Sequence, residues 1–100
     1  MGSVYNDTTF PGDLSINDLK QAFRAFHASQ RIHYGNNPYS GSFASNLNGL
    51  TIDVDATFTD RQQAIDYINA RTDKFSPALV VRLHEPDKAP VWYVGAYCRD

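Results

Sequence analysis

The sequence predicts an α+β domain: a two-layer fold in which a four-stranded, mainly antiparallel sheet carries two helices on one face. Three observations lead there. Apolar residues recur at three- and four-residue steps after Ser15, which is the helical period. Apolar and polar residues alternate strictly from Leu50 to Phe58, which is the strand period. Two apolar runs, Ala78–Val81 and Val91–Val94, flank a proline-rich turn. With a shorter helix between them, the element order reads α-β-β-α-β-β.

The elements follow in chain order. Residues 1–13 are polar and turn-like and read as an irregular N-terminal segment, with Tyr5 or Phe10 pinning it to the core. Phe10-Pro11-Gly12-Asp13 carries turn residues, because Pro presets φ and Gly accepts positive φ. The first helix has strong local signals. Ser15 is a good N-cap with Asp18 at N3, and Leu14 and Leu19 have hydrophobic-staple spacing. Ile16, Leu19, Phe23 and Phe26 share one face, and Gly35 is placed to end the helix as its C′ residue. Tyr34 to Ser42 reads as a loop. Asn48-Gly49 between alternating apolar residues then predicts a hairpin of strands 43–47 and 50–58.

Thr59 or Asp60 caps a second helix from Arg61 to about Arg71, with Thr59 and Gln62 forming a capping box. Ala78–Glu85 and Val91–Cys98 read as the last two strands, joined through Pro86-Asp87-Lys88-Ala89-Pro90. If 50–58 neighbours 78–85, that pair is parallel. A fully antiparallel 1-2-4-3 order is the competing topology.

One hundred residues suit a single domain, 1–100. Eleven acidic and nine basic side chains give a net charge of −2, too small and mixed for a non-specific polyanion binder. The one cysteine cannot form an internal disulfide or a Cys-based zinc site, and it reads as a buried structural residue. The N-terminal residues lack the basic and apolar regions of a secretory signal, so a cytoplasmic protein is expected. Asn6-Asp7-Thr8 matches a glycosylation sequon that such a protein would not use.

Three surfaces stand out. Lys20, Arg24, His27 and Arg31 fall within about 60° of arc on the first helix. They form a ridge for an acidic surface, or an ordinary solvated helix face. The Tyr34–Phe43 loop has the Tyr, Ser, Gly and Asn composition of protein-binding loops, and otherwise is a plain connection. The outer sheet face is expected to display Tyr93 and Tyr97 beside Asp53, Asp55, Arg82 and His84. It reads as a stacking surface or as cross-strand charge pairs. A paired-carboxylate site at Asp53/Asp55 and a Cys98–His84 dyad lack supporting residues.

The expected function is a small non-enzymatic protein-binding module of inhibitor or adaptor type. The partner-binding residues are Lys20, Arg24, His27, Arg31, Tyr34, Asn36, Asn37 and Tyr39. Its partner is a larger protein or complex, with no cofactor, no metal, no membrane, and a monomer or homodimer as the unit. The reading extends, on size and lack of motifs alone, to a phage- or mobile-element-encoded antagonist of a host defence complex such as a CRISPR effector. The alternative is a nucleic-acid-associated domain using the basic ridge or the aromatic sheet face.

Overall fold

Six elements follow in the order β1 (Ser3–Pro11), α1 (Ile16–Tyr34), β2 (Leu50–Phe58), α2 (Arg61–Asn69), β3 (Ala78–Leu83) and β4 (Val91–Arg99). The structure is a computed structural model that describes residues 3–34, 49–73 and 76–99. The α+β class and the four-stranded, mostly antiparallel sheet hold. The sheet order is β1-β4-β3-β2, with β2 parallel to β3 and the other two pairs antiparallel. The element order is therefore β-α-β-α-β-β.

The N-terminal segment is a correction. Residues 3–11 of the segment read as irregular form an edge strand paired to β4 from Ser3↔Arg99 to Pro11↔Val91. Val4, Tyr5, Thr8, Thr9 and Phe10 favour a strand, but Asn6-Asp7 interrupts them and Phe10-Pro11-Gly12-Asp13 reads as a turn, so pairing and face contacts decide. Just beyond β1, Gly12 N–H donates to Pro90 O at 3.2 Å. Antiparallel pairs alternate, so even-numbered residues of β1 turn their backbone groups toward β4 and odd-numbered ones turn outward. Pro11 is odd, so its missing N–H falls on the open edge, where a strand tolerates proline.

α1 starts as its caps dictate. Asp18 N–H donates to Ser15 Oγ at 3.2 Å, and Leu14 joins Leu19 in one apolar cluster. α2 starts at Asp60, whose carboxylate accepts from Gln62 N–H at 3.0 Å. Asp60 is thus the cap, and the Thr59/Gln62 capping box is not used. α2 ends at Asn69 rather than Arg71, and β3 ends at Leu83 rather than Glu85. The strand expected at 43–47 lies outside the described residues; Gly49, next to it, has φ +90°. The β3–β4 hairpin turns through Glu85–Lys88, where Lys88 N–H donates to Glu85 O at 3.2 Å. Pro86 precedes Asp87, whose φ of 61° is a left-handed conformation that Asp tolerates.

The second correction concerns the layers. The helices do not share a face. Leu19 and Phe23 of α1 cluster with Ala78, Val80, Trp92, Val94, Ala96 and Cys98. Ala64 and Ile68 of α2 cluster with Leu79, Val81, Leu83 and Tyr93. Alternate residues of β3 and β4 therefore enter opposite cores. Their continuous apolar runs were the sign of a strand buried on both faces.

β2 also departs from its clean alternation. Leu50 and Ile52 pack on the α1 side, but Ala56 and Phe58 pack on the α2 side. From Ile52↔Val80 to Thr57↔Arg82, β2 advances five residues while β3 advances two. The three extra residues are an odd number, so the bulge exchanges the faces. Val54 sits in this bulge and is 51% exposed.

Gly95 fixes the α2-side packing. A Cβ there would overlap Tyr5 Oη and sit 2.9 Å from Tyr5 Cζ and 3.1 Å from Ile68 Cδ1. Gly95→Ala is expected to destabilise the fold by about 1–3 kcal/mol in urea unfolding. The loss should be smaller in a Tyr5→Ala background; equal losses would mean that Tyr5 does not occupy this space.

Candidate functional site

The first-helix ridge is the candidate site. On the buried side of α1, Phe23 and Phe26 meet Phe10 edge-on, with ring centroids 6.5 and 5.9 Å away. Beside this apolar face, an arc of the helix is turned to solvent. Lys20 and Arg24 are exposed there. Among the described residues, neither is held by an ion pair, hydrogen bond or ring contact.

The other described cations are engaged. Arg61 Nη2 lies 3.6 Å from Glu85 Oε1, and its guanidinium sits 5.5 Å from the Tyr93 ring. Arg71 stacks on Tyr67 at 3.6 Å. Arg82 covers Trp92 at 4.4 Å and donates to Gly12 O at 2.9 Å. Lys88 Nζ lies 3.9 Å from Glu85 Oε1. Among the described residues, the cations left for an external anion are Lys20 and Arg24 of α1.

Of the other residues expected to bind a partner, His27 is half-buried with its ring 6.3 Å from Phe23. Arg31 and Tyr34 fall in the last turns of α1, and their side chains lie outside the described residues. Asn36, Asn37 and Tyr39 lie outside them entirely. The sequence reading missed Ile32, which is 86% exposed in the same helix. Its signal was available: it falls about 120° round the helix from Lys20 and off the Leu19–Phe23–Phe26 face.

The open aromatic face does not form. Tyr93 is buried under α2. Its hydroxyl donates to Asp7 Oδ2 at 2.6 Å and lies 3.1 Å from the Tyr5 hydroxyl. With the Tyr93 proton committed to Asp7, Tyr5 supplies the proton between the two phenols. Burial, then the bond to Asp7, push the Tyr93 phenol far above its ordinary range. It is a fixed donor that locks β1 to β4. Tyr97 is half-buried and meets Tyr5 edge-on at 5.5 Å.

The expected pairing of Asp53 and Asp55 with Arg82 and His84 is replaced by other bonds. Asp53 accepts from the Tyr67 hydroxyl and from Asp55 N–H. Arg82 turns instead to Trp92 and Gly12. Asp53 is thus a strut between the β2 bulge and α2. Among the described residues, no group of His, Cys, Asp and Glu is placed to hold a metal ion.

Cys98 and His84 do not meet. Leu83 pairs with Val91 and Val4 with Cys98, so the two lie near opposite ends of β4, roughly 25 Å apart at about 3.3 Å per residue. Cys98 is buried, and burial pushes its thiol up to about 11. No described helix is long and apolar enough to cross a membrane. Comparison of the chain with protein-family models, curated proteins and solved structures finds no match.

The Tyr67 bond holds the Asp53 carboxyl below its ordinary range. A lowered folded-state value contributes stability above about pH 4 that is lost as pH falls through the folded value. Tyr67→Phe should therefore lower the urea midpoint at neutral pH, and the gap from wild type should close on acidification below about pH 4. A gap that stays constant with pH would show that the bond does not act through Asp53.

Proposed function

We propose that the protein is a small non-enzymatic binding module that docks on a larger protein through the outer arc of α1. The observation that carries this reading is the pairing status of its cations. Lys20 and Arg24 are exposed and uncommitted among the described residues, while Arg61, Arg71, Arg82 and Lys88 are each engaged within the fold.

A cation already paired gains little from a new anion, because it must give up the partner it has. Lys20 and Arg24 surrender only water. Carboxylates on a partner would find them about one helical turn apart, about 6 Å along the axis. Ile32 adds apolar area near the far end of the same helix. Charged groups of this kind govern encounter rate and choice of partner more than total affinity.

The finer reading, an inhibitor or adaptor and in particular an antagonist of a host defence complex such as a CRISPR effector, goes further than these contacts. Its direct test is whether the purified protein blocks target binding or cleavage by such a complex. The nucleic-acid alternative keeps one supporting feature, the same two cations. Its other support fails, since Tyr93 is covered by α2.

The partner is sought by cross-linking and pull-down from the native host, then measured against variants. Lys20→Glu with Arg24→Glu should weaken binding at least tenfold while leaving stability within about 0.5 kcal/mol. Unchanged affinity for the double variant would remove α1 as the docking face. In parallel, anisotropy with duplex and single-stranded DNA and RNA at two salt concentrations reads the alternative. Affinity that falls steeply with salt and is lost in the double variant would move the assignment to nucleic acid.

A further inference from the structure

The two edges of the sheet are built differently. β2 carries the three-residue bulge and, within it, Asp53 and Asp55. A bulge and charges blunt an edge against further pairing. β1 has no bulge along its length. It pairs to β4 in unbroken register over nine residues. Its sequence, Ser-Val-Tyr-Asn-Asp-Thr-Thr-Phe-Pro, holds a single charge. That charge, Asp7, is drawn onto its own sheet by the Tyr93 hydroxyl at 2.6 Å. Among the described residues, β1 pairs with β4 alone. The alternation set by Gly12 and Pro90 points the N–H and C=O groups of Tyr5, Asp7 and Thr9 outward. The result is a straight row of donors and acceptors, the form of edge to which a further strand adds.

We propose that this edge is a self-association surface, with β1 of a second copy as the added strand, antiparallel about a two-fold axis. Charge selects this occupant. A strongly acidic strand would meet Asp7, whereas β1 itself brings one charge and an otherwise neutral row. A register with Asp7 opposite Asp7 sets like charges face to face and is disfavoured. A shift that puts Thr8 on the axis sets Asp7 opposite Thr9 of the second copy, twice by symmetry. The two Thr8 side chains then form the close, non-hydrogen-bonded pair at the centre. The N–H that Pro11 lacks falls at the end of the ladder, where it disrupts least.

Sedimentation of the full chain from about 1 µM to about 1 mM tests the assembly, and amide hydrogen exchange tests the surface. The expected result is a concentration-dependent rise from 11.2 kDa toward twice that mass. The amides of Tyr5, Asp7 and Thr9 should gain protection at high concentration while those of Asn6 and Thr8 stay unchanged. Thr9→Pro removes one outward N–H, and Thr8→Lys sets two cations opposite each other on the axis; each should keep the circular dichroism of wild type and sediment as a monomer. A wild-type chain that stays at 11.2 kDa overturns the proposal. So does a dimer whose Tyr5, Asp7 and Thr9 amides exchange as in the monomer. The exchange readout needs no variant, so a misfolded Thr9→Pro leaves the proposal equally exposed to refutation.

Discussion

Burial of β3 on both faces is the constraint on which the rest of the structure depends. Ala78, Leu79, Val80, Val81 and Leu83 are all buried, and they alternate between two cores. A strand of that composition needs cover above and below. One helix can cover one face, so the two helices must separate. α2, the crossover between parallel β2 and β3, takes the Leu79–Val81–Leu83 side; α1 takes the other. Each fully buried Val, Leu or Ile contributes about 1.5–3 kcal/mol. The ion pairs Arg61–Glu85 and Lys88–Glu85, partly exposed at 3.6 and 3.9 Å, contribute about 0–1 kcal/mol each. The layers are therefore set by apolar burial, and the charges adjust to them.

That adjustment uses up most of the described cations. Arg82 sits half-buried on the α1 side of β3. It lies on Trp92 and donates to Gly12 O, while Trp92 Nε1 donates to Leu14 O at 3.1 Å. Together these bonds pin the β1–α1 connection to the sheet. On the α2 side Arg61 lies against Tyr93 of β4, while Arg71 stacks on Tyr67 at the C-terminal end of α2. Among the described residues, fold-internal contacts thus engage Arg61, Arg71, Arg82 and Lys88 and leave Lys20 and Arg24 of α1 exposed.

What the sequence showed and what it hid follow one division. Features set within one turn or one strand were legible. The Ser15 cap, the Leu14/Leu19 contact and the limits of β2 at Leu50 and Phe58 needed no information beyond neighbouring residues. Features set by distant pairing were not. β1 mixes strand formers with Asn6-Asp7 and a turn signal at its end, and it is fixed by β4, eighty or more residues away. The bulge in β2 appears only when β2 is set against β3, since the alternation of β2 is regular by itself. The site divides the same way. The helical period placed Lys20 and Arg24 on one arc, but their freedom from partners is a property of the whole fold. Tyr93 looked exposed because alternation offers two faces and one-sided cover was assumed; with α2 on its side, it becomes a core donor to Asp7.

The edge of β1 and the ridge of α1 are connected through the sheet. Even-numbered residues of β1 point to the α1 side, where Phe10 meets Phe23 and Phe26. Joining two β1 strands about an axis perpendicular to the sheet keeps each face continuous across the join. Both α1 helices then stand on the same side of one eight-stranded sheet, and both ridges face the same way. A partner with repeated acidic patches would meet two cationic ridges held at a fixed spacing. The second contact would form within the complex rather than from solution, so the pair binds more tightly than either ridge without any new type of contact. Weak pairing at β1 and modest electrostatics at α1 are each small effects. Pairing of two copies at β1 would couple them, because the strand that forms this edge also carries the phenylalanine that meets Phe23 and Phe26 of α1.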